Sequence, residues 1–75
     1  FDYKVEAIEF LVDEPSPVTD TPLKDLKLKK DVLISFINRN GKIIIPTGND
    51  SIIVGDTVMI VTKHTGFDNI NDIAL

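Results

Sequence analysis

Alternating apolar and polar residues mark the extended parts of this chain. The clearest segment is 57–63, in which Val58 and Ile60 alternate with Thr57 and Met59. A period of two indicates a strand with one buried face. The other candidate segments are rich in Ile and Val, whose branched side chains favour strands. The pattern predicts a small, mostly antiparallel β-sheet with strands near 4–12, 32–39, 42–46 and 57–63.

Two tight turns are predicted between these strands. Asn40-Gly41 separates the second strand from the third, and this dipeptide is a strong hairpin signal because both residues tolerate positive φ. Arg39 and Lys42 flank the turn and are expected to face solvent. A second glycine-containing turn, at 55–56, is expected to begin the last strand.

Two short helices are predicted outside the strands. Thr21 and Pro22 suit the N-cap and the first position of a helix over 22–28. Asp68 suits the cap of a final short helix over 68–75. Together with the sheet, these helices predict an α+β fold.

The strands carry more apolar surface than two short helices can cover. In segment 4–12, Ala7 and Leu11 lie on one face, and Ile8 and Phe10 lie on the other. Large exposed apolar patches usually mark contacts with other molecules. A homodimer or a neighbouring domain is therefore expected to cover the second face.

The length limits the chain to one small domain. A chain of 75 residues buries only roughly 60% of its unfolded surface. It contains no cysteine, so no disulfide supplements that core. No apolar run approaches the roughly 20 residues that a membrane-spanning helix needs. Because the sequence starts without Met and close to its first strand, residues 1–75 are interpreted as a single domain excised from a longer protein.

Composition argues against several functional classes. The formal net charge of −4 argues against a sequence-independent nucleic-acid binder, which needs an excess of basic residues. The sequence has one histidine, His64, no cysteine and no glycine-rich phosphate loop. No catalytic residue and no metal ligand is assigned, and the domain is expected not to be an enzyme. The alternative is a fragment of an enzyme whose catalytic residues lie elsewhere.

Four lysines within seven positions, 24–30, are the most distinctive polar feature. They form either a solvated surface or a site for an anion, because lysine acts as a point charge on phosphate. Two copies meeting at this edge would double the charge by symmetry and would suit a small ligand with two phosphates. The apolar residues that follow offer a surface for a nucleobase, although Phe36 is better explained as a core residue. The candidate ligand-binding residues are Lys27, Lys29, Lys30, Val32, Ile34 and Arg39.

Four short motifs follow one another along the sequence. They are Pro22-Leu23-Lys24-Asp25-Leu26-Lys27-Leu28, Ile37-Asn38-Arg39-Asn40-Gly41, Pro46-Thr47-Gly48-Asn49-Asp50 and Gly55-Asp56-Thr57-Val58. Their order and spacing resemble the C-terminal regulatory domain, called TrkA-C or RCK-C, of the Trk/Ktr potassium-uptake regulators. The resemblance covers residues 4–63. It departs at Thr47, where many relatives have arginine.

The resemblance implies a non-catalytic domain at the C-terminal end of a longer regulatory protein. In that family an upstream Rossmann-type domain binds NAD or ATP, and the C-terminal domains generally dimerise. The assembly is cytoplasmic and lies at the inner face of the plasma membrane against a potassium transporter subunit. Some members bind cyclic di-AMP, through a segment that does not align with this sequence, where lysines occupy the region instead.

For this protein, the resemblance implies a ligand-sensing and dimerisation domain without a cofactor of its own. Such a domain would couple ligand binding to gating of a membrane potassium transporter. An alternative interpretation keeps the fold and changes the role, to a purely structural dimerisation domain attached to another cation transporter or antiporter. An upstream glycine-rich nucleotide-binding domain would favour the first interpretation, and fused membrane helices would favour the second.

Overall fold

The computed structural model describes residues 4–75, so residues 1–3 of the predicted domain lie outside the described residues. Within this range four strands form one sheet in the order β1-β4-β2-β3, and each neighbouring pair is antiparallel. The strands are β1 (Glu6–Leu11), β2 (Val32–Arg39), β3 (Lys42–Ile44) and β4 (Thr57–Thr62). The predicted antiparallel sheet is confirmed, with β3 ending two residues earlier than expected.

The two predicted α-helices are wrong. Helical structure within residues 4–75 is limited to 3-10 helices, at Leu23–Asp25 and Ile70–Ile73. Helices this short are marginal, because nucleation costs more than one or two hydrogen bonds return. After Asp25 the backbone becomes extended, and Leu28 forms an antiparallel bridge with Ala74. Pairing with the C-terminal segment therefore replaces the helical hydrogen bonds that the sequence suggested.

The caps of the 3-10 helices also differ from the prediction. Pro22, and not Thr21, occupies the N-cap position of the 3-10 helix Leu23–Asp25. No side chain makes a capping hydrogen bond to this helix. Asn69, and not Asp68, caps the second, where Asp72 completes a reciprocal capping box. Asn and Asp are about equally good cap residues, so local sequence did not distinguish the two adjacent candidates.

Both predicted turns are confirmed. Asn40 and Gly41 adopt positive φ values of 54° and 84°, and the residues that flank them pair across β2 and β3. These angles fit the tight hairpin turn whose twist matches that of the strands. Gly55 has a φ of 98°, and the turn around it closes through the backbone N–H of Asp56, which donates to the carbonyl oxygen of Ile53 at 3.1 Å.

One face of the sheet, called the inner face, packs against the connecting segments of the protein. Apolar residues from the β1–β2 connection, the β3–β4 connection and the C-terminal segment 64–75 join the strand residues in a single core. Its buried members are Phe10, Val12, Val18, Ile37, Ile52, Val58, Ile60, Ile70 and Ile73. Segment 64–75 therefore packs on this domain, and irregular segments cover the sheet as helices do in most two-layer folds.

The opposite face, called the outer face, is made by alternate residues of the same four strands. The strand register places its residues in three rows: Ala7, Val61 and Leu33; Glu9, Met59 and Phe36; and Leu11, Thr57, Asn38 and Ile43. A register shift between Ile34 and Phe36 leaves Phe36 opposite Met59 rather than in the core. The expectation that Phe36 is a core residue is wrong, because this bulge turns it to the outer face.

Candidate functional site

The lysine segment, defined as Lys27–Lys30, runs antiparallel to the end of segment 64–75. The backbone N–H of Lys29 donates to the carbonyl oxygen of Ile73 at 2.8 Å, and the N–H of Leu75 donates to the carbonyl oxygen of Lys27 at 2.9 Å. The leucine of the lysine segment packs against the core. The first and last lysines of the segment are exposed. The backbone of the lysine segment is therefore held in place by segment 64–75, and its charged side chains lie on the solvent side.

Aromatic side chains from segment 64–75 lie against the lysine segment. The Nζ of Lys29 lies 5.2 Å from the centroid of the Phe67 ring, within the range of a cation–π contact. The ring of His64 stacks on Phe67 with centroids 5.5 Å apart. The Nε2 of His64 lies 2.6 Å from the carbonyl oxygen of Lys30. Lys29 thus has an aromatic partner within the domain, while Lys27 and Lys30 extend into solvent.

The structure brings only some of the predicted ligand-binding residues together. Val32 begins β2 immediately after the lysine segment, and both Val32 and Ile34 are half-buried against the core. Arg39 ends β2, about 23 Å from Val32 at the rise of about 3.3 Å per residue that strands have. The lysines and Val32 share one end of the sheet, and Arg39 lies at the other.

Arg39 is held by Asp56 and does not face solvent as the sequence suggested. Its Nε donates to Asp56 Oδ1 at 2.8 Å, and one of its terminal nitrogens donates to Oδ2 at 2.9 Å. The same terminal nitrogen donates to the carbonyl oxygen of Ser51 at 2.9 Å. The guanidinium therefore binds the carboxylate in a two-point, charge-assisted fork, and only 32% of the Arg39 side chain is exposed.

Asp56 is fully buried, and both of its carboxylate oxygens accept hydrogen bonds. Besides Arg39, its Oδ2 accepts the backbone N–H of Ile53 at 2.9 Å. Burial raises the pKa of Asp56, but the hydrogen bonds from Arg39 and Ile53 and the charge of Arg39 outweigh it and hold this pKa below its ordinary value. The hydrogen bond to Asp56 likewise raises the pKa of Arg39. The pair stays ionised and joins the end of β2 to the turn before β4.

The outer face exposes large apolar side chains. Leu11 is 66% exposed, Leu33 is 60% exposed and Ile43 is 55% exposed. An open cavity of about 270 Å³ lies where this face meets the first residues of β2, lined in part by Val5, Leu33 and Val61. Large exposed apolar side chains on three of the four strands make this face a candidate contact surface.

Within residues 4–75, no three His, Asp or Glu side chains come together in a way that would hold a metal ion. None of the helical segments in that range has the length and hydropathy of a membrane-spanning helix.

Comparison with known proteins decides the family. The family model of the TrkA-C domain matches residues 7–74, nearly the whole sequence. The chain belongs to the TrkA-C domain family. It is 45% identical over 60 residues to the Trk system potassium uptake protein TrkA homolog of Archaeoglobus fulgidus. It is 32% identical over 69 residues to a protein of the same name from Pyrococcus abyssi, and 30% identical over 70 residues to the Trk system potassium uptake protein trkA homolog 1 of Methanosarcina mazei.

This TrkA-C domain corresponds to a small part of those relatives. The matches cover 80%, 91% and 93% of its own length, but only 14%, 30% and 17% of the three relatives, in the order given. The relatives are therefore several times longer than the part that they share with this domain.

The four motifs of this TrkA-C domain meet in space in two pairs. The first and third join through the backbone N–H of Lys24, which donates to the carbonyl oxygen of Gly48 at 3.0 Å. A side chain at Gly48 would place its Cβ 3.1 Å from the Cβ of Lys24, so one of the two would have to move by a few tenths of an ångström. The second and fourth join through Arg39 and Asp56. Sequence reasoning identified both motifs but not this ion pair. The sequence signal that could have found it was the single arginine of the sequence beside one tight turn and an aspartate within another.

Proposed function

We propose that this protein is a non-catalytic regulatory domain of a potassium-uptake system, and that it acts as a homodimer formed through the outer face of its sheet. Membership of the TrkA-C family supports a regulatory role in potassium transport. The observation that supports the homodimer is the set of exposed leucine and isoleucine side chains on the outer face. No segment within residues 4–75 covers these side chains.

The physical argument for association is the cost of leaving this surface in water. Each buried apolar side chain of this size contributes about 1.5–3 kcal/mol relative to the exposed state. A two-fold interface uses the same patch twice, so Leu33 and Ile43 would each be buried in both copies. The side-chain rows on the outer face of the sheet allow such a self-complementary contact.

The association can be tested by sedimentation equilibrium of the wild type and of a Leu33→Asp variant. The wild type is expected to dimerise reversibly, and the variant is expected to stay monomeric, because two carboxylates would be buried in the interface. Leu75→Asp is the matched control, since Leu75 is 83% exposed but belongs to the segment that covers the inner face. A monomeric wild type, or equal dissociation of the two variants, would remove the proposed interface.

Within the same proposal, the lysine segment is the place where a small anionic ligand acts. Lys27 and Lys30 are exposed, and Val32 follows them at the start of β2. Arg39 is not included, because it lies at the other end of the sheet and its Nε and one terminal nitrogen are bound to Asp56 and Ser51. A ligand bound here regulates only if it binds one arrangement of the dimer better than another, and a preference of about 1.4 kcal/mol changes the balance tenfold.

Ligand sensing can be tested by thermal-shift titration with cyclic di-AMP, ATP and NAD. A saturable rise in melting temperature that is lost in a Lys27→Ala/Lys30→Ala variant is expected for a sensing domain. A Lys4→Ala/Lys42→Ala variant removes the same charge from two other exposed lysines and should respond like the wild type. If no ligand raises the melting temperature while the protein still dimerises, the role is structural dimerisation.

The rest of the assembly follows from the family and is part of the proposal. The domain would be cytoplasmic, would follow a Rossmann-type domain that binds NAD or ATP, and would pass its dimer arrangement through that domain to a membrane potassium transporter subunit. The relatives are several times longer than the part they share with this domain, which leaves room for such a domain in proteins of this kind.

A further inference from the structure

The hairpin turn between β2 and β3 contains the dipeptide that is most prone to spontaneous deamidation. Asn40 and Gly41 are both exposed. In an Asn-Gly sequence the glycine backbone nitrogen loses its proton and attacks the amide carbon of the asparagine. A new bond between these two atoms closes a five-membered succinimide ring, the bond from the same carbon to the asparagine amide nitrogen breaks, and ammonia leaves. Water then opens the ring to aspartate or isoaspartate.

In this turn the attacking nitrogen is already engaged. The backbone N–H of Gly41 donates to Oδ1 of Asn38 at 2.9 Å. The two central N–H groups of a tight hairpin turn normally lack a partner within the ladder, so this bond is an additional feature of the sequence. Asn38 is well placed to make it, because its backbone is held between Ile43 of β3 and Thr57 of β4.

A hydrogen bond to Asn38 opposes cyclisation in two ways. It stabilises the protonated nitrogen, which must lose that proton to react, and it directs the N–H toward residue 38 and away from the amide of residue 40. The positive φ of Asn40 is fixed by the flanking pair of strands, so rotation into an attacking geometry would also break the hairpin.

We propose that Asn40 is a latent deamidation site and that the side chain of Asn38 suppresses the reaction by holding the Gly41 N–H. Deamidation would add a negative charge at the residue that follows Arg39 in the sequence. Isoaspartate would also insert one methylene into the backbone of the two-residue turn.

The test is peptide mapping by mass spectrometry after the folded protein is incubated at mildly alkaline pH. Asn38→Ala should deamidate at Asn40 roughly two- to tenfold faster than the wild type, the rate equivalent of one neutral hydrogen bond. Asn38→Asp keeps an acceptor for the Gly41 N–H and should remain slow. Asn49, which is exposed and not followed by glycine, serves as an internal reference in every sample.

A structural control separates loss of the hydrogen bond from general loosening of the hairpin. At a concentration too low for dimerisation, Ile43→Ala weakens the same strand pair without touching the Gly41 N–H, so any acceleration should be smaller than that of Asn38→Ala. The proposal is overturned if Asn38→Ala is no faster than the wild type, or if Ile43→Ala accelerates the reaction as much as Asn38→Ala does. It is also overturned if the folded wild type reacts as fast as the protein unfolded in urea.

Discussion

The inner and outer faces of the sheet are built from alternate residues of the same strands, yet only one of them is closed. On β4, Ile60 faces inward and is fully buried, while its neighbour Met59 faces outward beside Phe36. The inner face is closed by the domain's own connecting segments, and the outer face keeps apolar side chains such as Leu33 in water. The difference indicates that stability within one copy comes from the inner face, while the outer face is the surface through which the proposed dimer would form.

The closed face depends on polar contacts at its rim. Its covering layer is irregular backbone, in which scattered hydrogen bonds such as that from Lys29 N–H to the carbonyl oxygen of Ile73 take the place of a regular ladder. The Arg39–Asp56 pair fixes one end of that layer and the capping box at Asn69 fixes another. Damage to either contact should loosen the inner face and leave the outer face unchanged.

The largest expected effect is a difference in the free energy of unfolding between a substitution on the inner face and one on the outer face. Ile60→Ala should lower the free energy of unfolding by about 2–5 kcal/mol, because it leaves a cavity in the core. Met59→Ala, one residue away on the outer face, should cost less than about 1 kcal/mol in dilute solution, where the face is solvated. Urea denaturation of the two variants measures both values. Equal losses would mean that the faces do not differ in the isolated copy.

The next largest loss in the free energy of unfolding is expected for substitutions in the Arg39–Asp56 pair. Asp56→Ala leaves the partly buried guanidinium of Arg39 and the backbone N–H of Ile53 without their acceptor, which should cost about 2–3 kcal/mol. Arg39→Lys keeps the charge but loses the two-point fork, so it should cost less. Urea midpoints of these variants provide the comparison. A loss for Asp56→Ala no larger than the roughly 0.5 kcal/mol of an ordinary surface substitution would contradict the role given to this pair.

Acid should weaken the same contact. The pKa of Asp56 is lowered in the folded protein, so its stabilisation is present above the unfolded value of about 3.9 and is lost as pH falls through the folded value. The pKa of Asp72 is also lowered, by the backbone N–H groups of Asp68 and Asn69, and it acts in the same direction. Between neutral pH and about pH 3, the wild type should lose more stability than Asp56→Asn, in which only Asp72 remains. Equal losses measured by urea denaturation would exclude Asp56 as the cause.

The smallest effect concerns the C-terminal cover of the inner face. Asn69→Ala removes the group that caps the 3-10 helix Ile70–Ile73 and should cost about 1 kcal/mol. Asn49→Ala, at an exposed loop position, should be close to neutral. Thermal unfolding of both variants gives the comparison, and a neutral Asn69→Ala would mean that burial of Ile70 and Ile73 holds this segment without the cap.

Strands and turns followed from the sequence because their signals are local. The Asn40-Gly41 turn, the alternation in β4 and the two-sided character of β1 each depend on a few adjacent residues. The helix over 22–28 failed for the opposite reason: Leu28 pairs with Ala74, a contact across 46 positions that no local pattern contains. The bulge that turns Phe36 outward likewise depends on pairing with β4.

The candidate site was predicted less completely than the sheet. The lysines and Val32 do share one end of the sheet, because they are adjacent in sequence. Arg39, predicted to belong with them, binds Asp56 instead, which lies 17 positions away in another turn. An ion pair between two turns depends on how the strands assemble, so it was visible only once β2 and β4 were paired.

The most direct test of association through the outer face is methyl NMR of isoleucine and leucine residues as the protein is concentrated. The methyl signals of Leu33 and Ile43 on the outer face should shift or broaden with concentration, while those of Ile60 and Ile73 in the core stay fixed. Concentration-independent signals at Leu33 and Ile43, or changes confined to segment 64–75, would contradict association through this face.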